Sequence, residues 1–295
     1  MRSVIFILLF LGSFSCIEKK TLHSDSDLFL APKSVAELTD RKLHEVSGLA
    51  ASANNPGLLW THNDSGNEAV IYLVDDHLTI QLACRIKGVK NRDWEDIAVG
   101  PGPTNGKSYV YIADIGDNNA RYSFKHIYRF EEPILDPQKQ EVTITEFDTI
   151  TFRLEGENKD TEAIMIHPRT KDLFIVSKRE KPVYLYQLKY PYSSNADTPT
   201  AAKVMSLPLT QIVSAGISTD GNEILMKNYD NIYYWNIKNK TIKEGLQEQP
   251  QKLRYIEEPQ GEAITFTRNG NGFYTLSEKL LGEKTFLYFY SRGHP

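Results

Sequence analysis

Residues 47–86 read SGLAASANNPGLLWTHNDSGNEAVIYLVDDHLTIQLACRI, and this stretch decides the fold. Four short runs rich in aliphatic, aromatic and β-branched residues predict β-strands. They are residues 47–50, 58–62, 69–74 and 79–86. The turn residues Asn54-Asn55-Pro56-Gly57 separate the first two runs. Four short antiparallel strands in a unit of about 50 residues are typical of one propeller blade.

Two sequence patterns recur along the chain in register with this unit. The first is a tyrosine after an aliphatic residue, at Ile71-Tyr72, Ile127-Tyr128, Val183-Tyr184, Ile232-Tyr233 and Leu287-Tyr288. The second precedes each of these pairs, at Ser47-Gly48-Leu49, Glu95-Asp96-Ile97, Glu162-Ala163-Ile164, Ala215-Gly216-Ile217 and Glu262-Ala263-Ile264. Because both series have five members in the same order, the sequence predicts an all-β propeller of five four-stranded blades. We expect the tyrosines to pack between neighbouring sheets.

The second unit and the two ends of the chain refine this prediction. The second unit predicts strands at residues 95–99, 109–113, 126–130 and 142–154. A ring of six blades is the alternative if residues 143–154 belong to a degenerate extra blade. The last unit ends after its third strand, at residues 286–290, and residues 34–38 offer the missing fourth strand. Borrowing that N-terminal strand would close the ring and remove an exposed sheet edge.

The first residues have the pattern of an export signal. Met1-Arg2 is followed by an apolar run at residues 4–11 and then by Ser13-Phe14-Ser15-Cys16. The apolar run is too short for a transmembrane helix. The segment resembles a bacterial lipoprotein leader in which Cys16 becomes the lipidated first residue. Ser13 fits that pattern loosely, so plain secretion remains the alternative.

These features predict the following organisation: a signal peptide at 1–15, lipidated Cys16 with a flexible tether at 16–33, and a propeller domain at 34–295. We expect an exported protein, attached to the bacterial membrane through its lipid on the periplasmic or cell-surface side. With a net charge of −4 and scattered lysines and arginines, the chain has no nucleic-acid footprint. Cys84 is the only cysteine besides Cys16, which excludes an internal disulfide and a thiolate zinc cage.

Acidic residues recur where the predicted first strand of a unit begins. Glu95, Glu162 and Glu262 share this position, and Asp93 and Asp160 stand two residues before the first two of them. Residues two apart in a strand share a face, and the first strands of propeller blades line the central channel. We expect these acids at one end of the channel, which we call the mouth. The fourth unit has no acid there, which predicts an asymmetric site.

The loops between second and third strands open on the same face and add further polar groups. Carboxylate oxygens around a mouth are ligands that calcium prefers, and we take Glu95, Glu162, Glu262 and Asp114 as candidate ligands. The candidate ligand-binding residues are Asn63, Asp117, Asn118, Lys178 and Lys227. His62 with Asp64 has the composition of a general base and its orienting acid, although no residue is identified as a nucleophile. Ordinary turn chemistry is the alternative for any single loop residue.

Four motifs carry a resemblance to known proteins. They are His44-Glu-Val-Ser-Gly-Leu-Ala, Trp60-Thr-His-Asn-Asp-Ser-Gly, Asp93-Trp-Glu-Asp-Ile-Ala and Ala113-Asp-Ile-Gly-Asp-Asn. This set resembles a group of bacterial secreted propeller proteins without an assigned activity, many of them lipoproteins. The Ser-Gly-Leu and Glu-Ala-Ile positions are more distantly similar to the SdiA-regulated and phytase-like propellers. The latter similarity implies calcium and phosphoester chemistry, but the chain lacks the cluster of lysines and arginines that a polyphosphate site requires.

Three functions are compatible with the sequence. The first is a membrane-anchored, extracytoplasmic propeller that binds a cation and a small or extended ligand at the mouth. The second is a calcium-dependent hydrolase of lactones or phosphoesters, which requires a metal with an open coordination position. The third is a protein-interaction module, which requires an exposed apolar patch on one face.

The predicted anchor is tested by the substitution Cys16→Ala. We expect the variant to move from the membrane pellet to the soluble fraction, because acyl chains would supply the attachment. Fractionation after a salt wash, followed by immunoblotting, measures the distribution. Membrane pelleting that persists in the variant would show that lipidation at Cys16 is not the anchor.

Overall fold

The computed structural model describes residues 28–192, 198–280 and 282–293. The predicted signal peptide and Cys16 lie outside the described residues. Within them, the chain forms 21 β-strands and one short helix, α1 (Ile242–Leu246). No helix in these ranges has the length and apolar character needed to cross a membrane.

The strands group into four-stranded units that follow one another along the chain. The first contains β2 (Val46–Ala51), β3 (Leu59–Asn63), β4 (Val70–Val74) and β5 (Ile80–Ile86). The second contains β6 (Trp94–Pro101), β7 (Ser108–Asp114), β8 (Lys125–Glu131) and β10 (Asp148–Leu154). The third contains β11 (Thr161–Ile166), β12 (Leu173–Ser177), β13 (Val183–Leu188) and β14 (Thr200–Leu207).

The remaining strands complete two further units. The fourth contains β15 (Ser214–Ile217), β16 (Glu223–Lys227), β17 (Ile232–Asn236) and β18 (Gln251–Leu253). The fifth contains β19 (Ala263–Phe266), β20 (Gly272–Leu276), β21 (Phe286–Ser291) and the N-terminal strand β1 (Lys33–Glu37). An additional strand, β9 (Glu141–Ile144), lies beside β5 in the first sheet.

The first strands of the units surround a common axis. β2 contacts β6, β6 contacts β11, β11 contacts β15, β15 contacts β19, and β19 returns to β2. Each sheet extends outward from its first strand by antiparallel pairing with the next. A closed cycle of inner strands with sheets radiating from it is the architecture of a β-propeller. The all-β propeller fold predicted from the repeats is therefore confirmed.

The N-terminal strand closes the fifth sheet. β1 pairs antiparallel with β21, so that Ser34 lies opposite Tyr288, and it supplies the strand that the last unit lacks. The folded part begins earlier than the expected end of the tether at residue 33. Phe29 is 2% exposed and packs edge-on against Phe273 and Tyr234, at 4.9 and 5.8 Å between ring centroids. Residues from Leu28 onward therefore belong to the fold.

The single long strand predicted for residues 142–154 is wrong. β9 runs parallel to β5, with Val142 opposite Cys84, whereas β10 pairs antiparallel with β8. Val142 and Ile144 are half-buried against the core of the first unit, which draws this part of the segment to the neighbouring sheet. The segment is thus divided between two sheets and forms no separate sheet of its own. A linear pattern of β-branched residues cannot show which of two adjacent edges each half will join.

The repeated tyrosines pack as predicted. Tyr72, Tyr128, Tyr233 and Tyr288 are each at most 9% exposed, and Tyr184 is half-buried. All five lie on the third strand of their unit. Their rings contribute to the apolar layers between sheets, as in the cluster that Tyr72 shares with Leu49 and Leu276.

Two neighbouring substitutions test whether the residues before β1 contribute to the core. We expect Phe29→Ala to lower the free energy of unfolding by about 3–5 kcal/mol, because it leaves a cavity between two aromatic rings. Leu30→Ala is the matched control, since Leu30 is 44% exposed and should change stability by less than about 0.5 kcal/mol. Urea denaturation of both variants measures the difference. Equal stability of the two variants would show that residues before β1 do not contribute to the core.

Candidate functional site

A β-bulge lies at the start of the inner strand in each of the first three units. In β6, Trp94 pairs with Asp114 and Asp96 pairs with Ala113, which leaves Glu95 without a cross-strand partner. The same irregularity leaves Ser47 unpaired in β2 and Glu162 unpaired in β11. A bulge redirects the side chain of its extra residue and is common beside functional sites. The bulge therefore sets the direction in which the side chains of Glu95 and Glu162 point. A strict alternation of side chains along a strand does not predict this direction.

A repeated backbone hydrogen bond fixes the loops against these strands. In four units, a residue one or two positions after the second strand donates its N–H to the carbonyl that lies two residues before the bulge or its equivalent. The pairs are Asp64 to Glu45 (2.8 Å), Gly116 to Asp93 (3.1 Å), Lys178 to Asp160 (3.1 Å) and Glu278 to Gln260 (3.2 Å). This bond brings the loop side chains and the strand acids to one rim.

Gly116 is required by the close approach of the loop to the acids. A Cβ atom at this position would lie 2.0 Å from Oε1 of Glu95 and 2.5 Å from Cγ of Asp93. Any side chain at position 116 would therefore displace both carboxyl groups. The glycine of the Asp-Ile-Gly-Asp motif is explained by this contact with the acidic residues.

Several carboxylates of the mouth have a partner within the protein. The contacts are Glu162 with Lys178 Nζ (3.0 Å), Asp160 with Arg179 Nε (2.6 Å), Asp114 with Arg92 Nε (3.5 Å), and Glu262 with the Tyr229 hydroxyl (2.6 Å). Asp114 also accepts a hydrogen bond from the backbone N–H of Asp93 at 3.0 Å. The negative charges of these acids are therefore compensated by a lysine, an arginine or a hydroxyl donor. Asp114 mainly holds the backbone at Asp93 in place through its hydrogen bond.

Three other carboxyl groups form a cluster that has no ion pair with a lysine or arginine among the described residues. Oxygen atoms of Asp64, Asp93 and Glu95 all lie within 4.8 Å of one another. The pKa of Asp64 is raised to about 6, first by burial and then by the charges of Glu262 and Asp93. The pKa of Asp93 is also raised, mainly by burial and then by Asp160. Carboxylates held this close repel one another unless a proton or a cation intervenes.

Two pairs of glutamates lie close together at the rim, Glu95 with Glu162 and Glu278 with Glu262. The pKa of Glu95 is well above its usual range because of burial and the adjacent charge of Glu162. Burial raises the pKa of Glu162 to about 7, against the opposing effect of Lys178. The pKa of Glu278 is raised to about 8 by burial and by Glu262. The ionised forms of these carboxyl groups are therefore disfavoured by burial and by the neighbouring acids.

Two residues that the sequence predicted to lie at the site, His62 and Lys227, are completely buried. His62 is 0% exposed, its Nδ1 lies 3.1 Å from the carbonyl oxygen of Asn63, and burial lowers its pKa to about 4. Its contacts do not include Asp64 as an orienting acid. Lys227 is also 0% exposed, its Nζ donates to the Tyr255 hydroxyl at 3.0 Å, and burial lowers its pKa to about 8.

The other predicted ligand-binding residues have mixed positions. Asn63 is buried and donates its amide to the carbonyl of Lys42 at 2.7 Å. Asp117 is 2% exposed and caps its own loop. Asn118 is exposed and contacts Arg179, and the Lys178 side chain is 12% exposed. Asn118 and Lys178 are thus the predicted residues that reach the open rim.

Asp96 occupies a position that the motif analysis did not single out. This buried residue crosses the channel: its Oδ2 accepts from the Ile164 N–H at 3.0 Å, and its Oδ1 accepts from the Ser214 hydroxyl at 3.3 Å. Oδ1 also accepts from the N–H of Ile97 at 2.9 Å. Burial raises the pKa of Asp96 well above its usual range, while these donors lower it. Asp96 forms the floor of the mouth.

Below Asp96 the channel continues as a narrow chamber of about 50 Å³. Its lining includes Ile97, Ile164 and Ile264 from the inner strands, and Arg268 lies at its far end. The two ends of the channel therefore differ in chemistry. The cluster of Asp64, Asp93 and Glu95 lies on the side on which the inner strands begin, whereas Arg268 lines the chamber.

No protein-family model matches the sequence, and no curated protein matches it significantly. A solved gluconolactonase from Xanthomonas campestris gives a TM-score of 0.44 at 11% identity, with 84% of this chain and 72% of that chain covered. The Dos1 propeller gives a TM-score of 0.40 at 13% identity, with 85% and 68% covered. The class defined by the topology and the site is an all-β propeller with an acidic channel mouth.

The raised pKa values predict how stability depends on pH. Asp64, Glu162 and Glu278 retain protons in the folded state up to about pH 6, 7 and 8, whereas the unfolded chain loses them near pH 4. The stabilisation that they contribute is present at low pH and is lost as the pH rises through these values. His62 has a lowered pKa and acts in the opposite direction, but only between about pH 4 and 6.5.

We therefore expect the melting temperature in EDTA to fall between pH 5 and pH 8, by about 3 °C or more for a domain of this size. The double variant Glu95→Gln, Glu162→Gln should show a smaller fall, because two of the titrating groups are removed. Differential scanning fluorimetry across this pH range measures both. A pH dependence that is identical in the two proteins would contradict the assignment of these groups.

Proposed function

We propose that the protein is a membrane-anchored, extracytoplasmic propeller that binds a hard divalent cation, calcium in the first instance, together with a small or extended ligand at the mouth. The observation that carries the proposal is the cluster of Asp64, Asp93 and Glu95, whose oxygens lie within 4.8 Å of one another. The anchor rests on the leader that ends at Cys16.

The pattern of charge compensation supports this cluster as the cation site. Glu162, Asp160 and Asp114 already have lysine or arginine partners, so a cation is least needed there. Asp64 and Asp93 have raised pKa values and lie beside Glu95, which is the condition that a bound cation relieves. Of the four ligands predicted from the sequence, this assignment keeps Glu95, replaces Glu162, Glu262 and Asp114, and adds Asp64 and Asp93.

The chemistry of the donors favours calcium over zinc or copper. All three groups are carboxylates, and calcium takes six to eight oxygen ligands, including bidentate carboxylates and water. Softer metals prefer imidazole and thiolate ligands, whereas His62 is enclosed and Cys84 is buried in the first sheet. A ligand at the mouth would meet the cation on one side and the exposed amide of Asn118 on the other.

The alternative of a calcium-dependent hydrolase of lactones or phosphoesters uses the same cation. It requires a base near the metal, and the candidate base His62 is 0% exposed with a pKa of about 4. The base predicted from the sequence is therefore enclosed, and binding is the function that we place first.

Isothermal titration calorimetry with calcium tests the proposal. We expect binding that releases protons at pH 6–7, because ionisation of Asp64 and Glu95 must accompany it. The double variant Asp64→Asn, Glu95→Gln should lose binding by at least about 100-fold, since two of three ligands are neutralised. At about 100 times the dissociation constant, calcium should stabilise the wild type by roughly 2.7 kcal/mol, reversibly with EDTA.

Two further variants serve as controls. Asp76→Asn changes an exposed acid and should bind calcium as the wild type does. Asp114→Asn should lower the melting temperature, through loss of its contact with Arg92, but leave calcium affinity within about threefold. Absence of calcium binding at millimolar concentration, with no thermal shift, would remove the cation from the function. Loss of binding only in Asp114→Asn would move the site to that residue.

A further inference from the structure

The loop between β7 and β8 exposes two aromatic side chains beside the mouth. Tyr122 is 44% exposed and Phe124 is 43% exposed. Within the described residues, the large hydrophobic side chains with comparable exposure are these two, Leu30 and Ile134. Half of them therefore lie in one loop, two residues apart in the sequence.

Buried polar contacts hold this loop in a fixed conformation. Asp117 accepts hydrogen bonds from the backbone N–H groups of Arg121 and Tyr122, both at 2.7 Å. The buried Nζ of Lys125 closes the loop from its other end, 3.2 Å from Asp117. The N–H of Asp117 donates to Asp160 at 2.9 Å, which joins the loop to the acids of the mouth. The aromatic side chains thus project from a preorganised support, which lowers the entropic cost of binding.

Arginines surround the two rings. The Arg92 guanidinium lies 4.3 Å from the centroid of Tyr122, and that of Arg153 lies 5.5 Å from the centroid of Phe124. Arg92 is engaged by the backbone carbonyl groups of Asp114 and Phe124.

Two of the arginines of this rim have unused donors. Arg121 and Arg153 are exposed, and their guanidinium groups have no hydrogen-bond or ion-pair partner in the described part of the chain. A guanidinium stacked on a ring keeps its N–H edge free for a carboxylate.

We propose that this Arg-aromatic loop, residues 117–125 with Arg92 and Arg153, is a docking surface for an acidic segment of a partner protein. Tyrosine and arginine, together with tryptophan, are enriched among the residues that dominate protein–protein binding. The guanidinium groups of Arg121 and Arg153, which have no acidic partner among the described residues, are complementary to carboxylates in an otherwise acidic molecule of net charge −4. This role is separate from the cation site, because none of its side chains belongs to the cluster of Asp64, Asp93 and Glu95.

Fluorescence anisotropy of the purified chain in EDTA, with labelled random copolymers of glutamate and tyrosine as the probe, tests this surface. We expect saturable binding that is tighter than that of polyglutamate and weakens as salt is raised from 50 to 500 mM, by about tenfold or more. Arg121→Ala with Arg153→Ala should weaken binding by about tenfold, and so should Tyr122→Ala with Phe124→Ala.

The matched control is Arg85→Ala with Ile134→Ala, which removes an exposed arginine and an exposed aliphatic residue elsewhere and should change binding by less than about twofold. Melting temperatures and calcium titrations of all variants should match the wild type, which separates this surface from the cation site. Equal weakening in the control pair, or no binding of the copolymer, would overturn the proposal. Tighter binding of polygalacturonate, or of vesicles containing phosphatidylglycerol, would overturn it in favour of an acidic glycan or a lipid surface.

Discussion

The hydrogen bonds of Asp96 across the channel are the constraint on which the functional face depends. Units two and four are not neighbours in the ring, yet the carboxylate of Asp96 joins β6 to Ser214 of β15 as well as to the Ile164 N–H of β11. A fully buried carboxyl group is unfavourable unless its oxygens are hydrogen-bonded, and here several donors satisfy them. Three inner strands are thereby held at one level of the axis, which sets the depth of the mouth.

The position of Asp96 along the axis determines which acidic side chains meet at the mouth. Immediately before Asp96, the bulge at Glu95 sends its carboxyl group toward Glu162 and the loop at Gly116. The acids on the side of the third unit form ion pairs with Lys178 and Arg179, while Asp64 and Asp93 form none within the described part of the chain. The electrostatic asymmetry therefore follows from the positions of the lysine and arginine side chains. It confines the proposed site for a bound cation to the junction of the first two units.

The same rim carries two surfaces of opposite character. The acidic cluster lies at the axis, and the Arg-aromatic loop begins at Asp117 and extends away from it, joined through Asp160. A partner with carboxylate groups would be repelled by the first surface unless a cation were bound there, and attracted by the second. Cation binding and partner docking would thus reinforce each other electrostatically, although different residues perform them.

The sequence by itself determined the repeating unit, the all-β fold and the collection of acids at strand starts, because strand period, turn residues and repeat spacing are local properties. The closing strand before the first unit could also be predicted, since an open sheet edge requires a partner. Tertiary structure alone decided that residues 142–154 divide between two sheets, that Phe29 belongs to the core, and that His62 and Lys227 are enclosed. It also decided which acids meet a lysine or arginine and that Asp96 crosses the channel, because bulges and contacts between distant strands have no signature in a linear pattern.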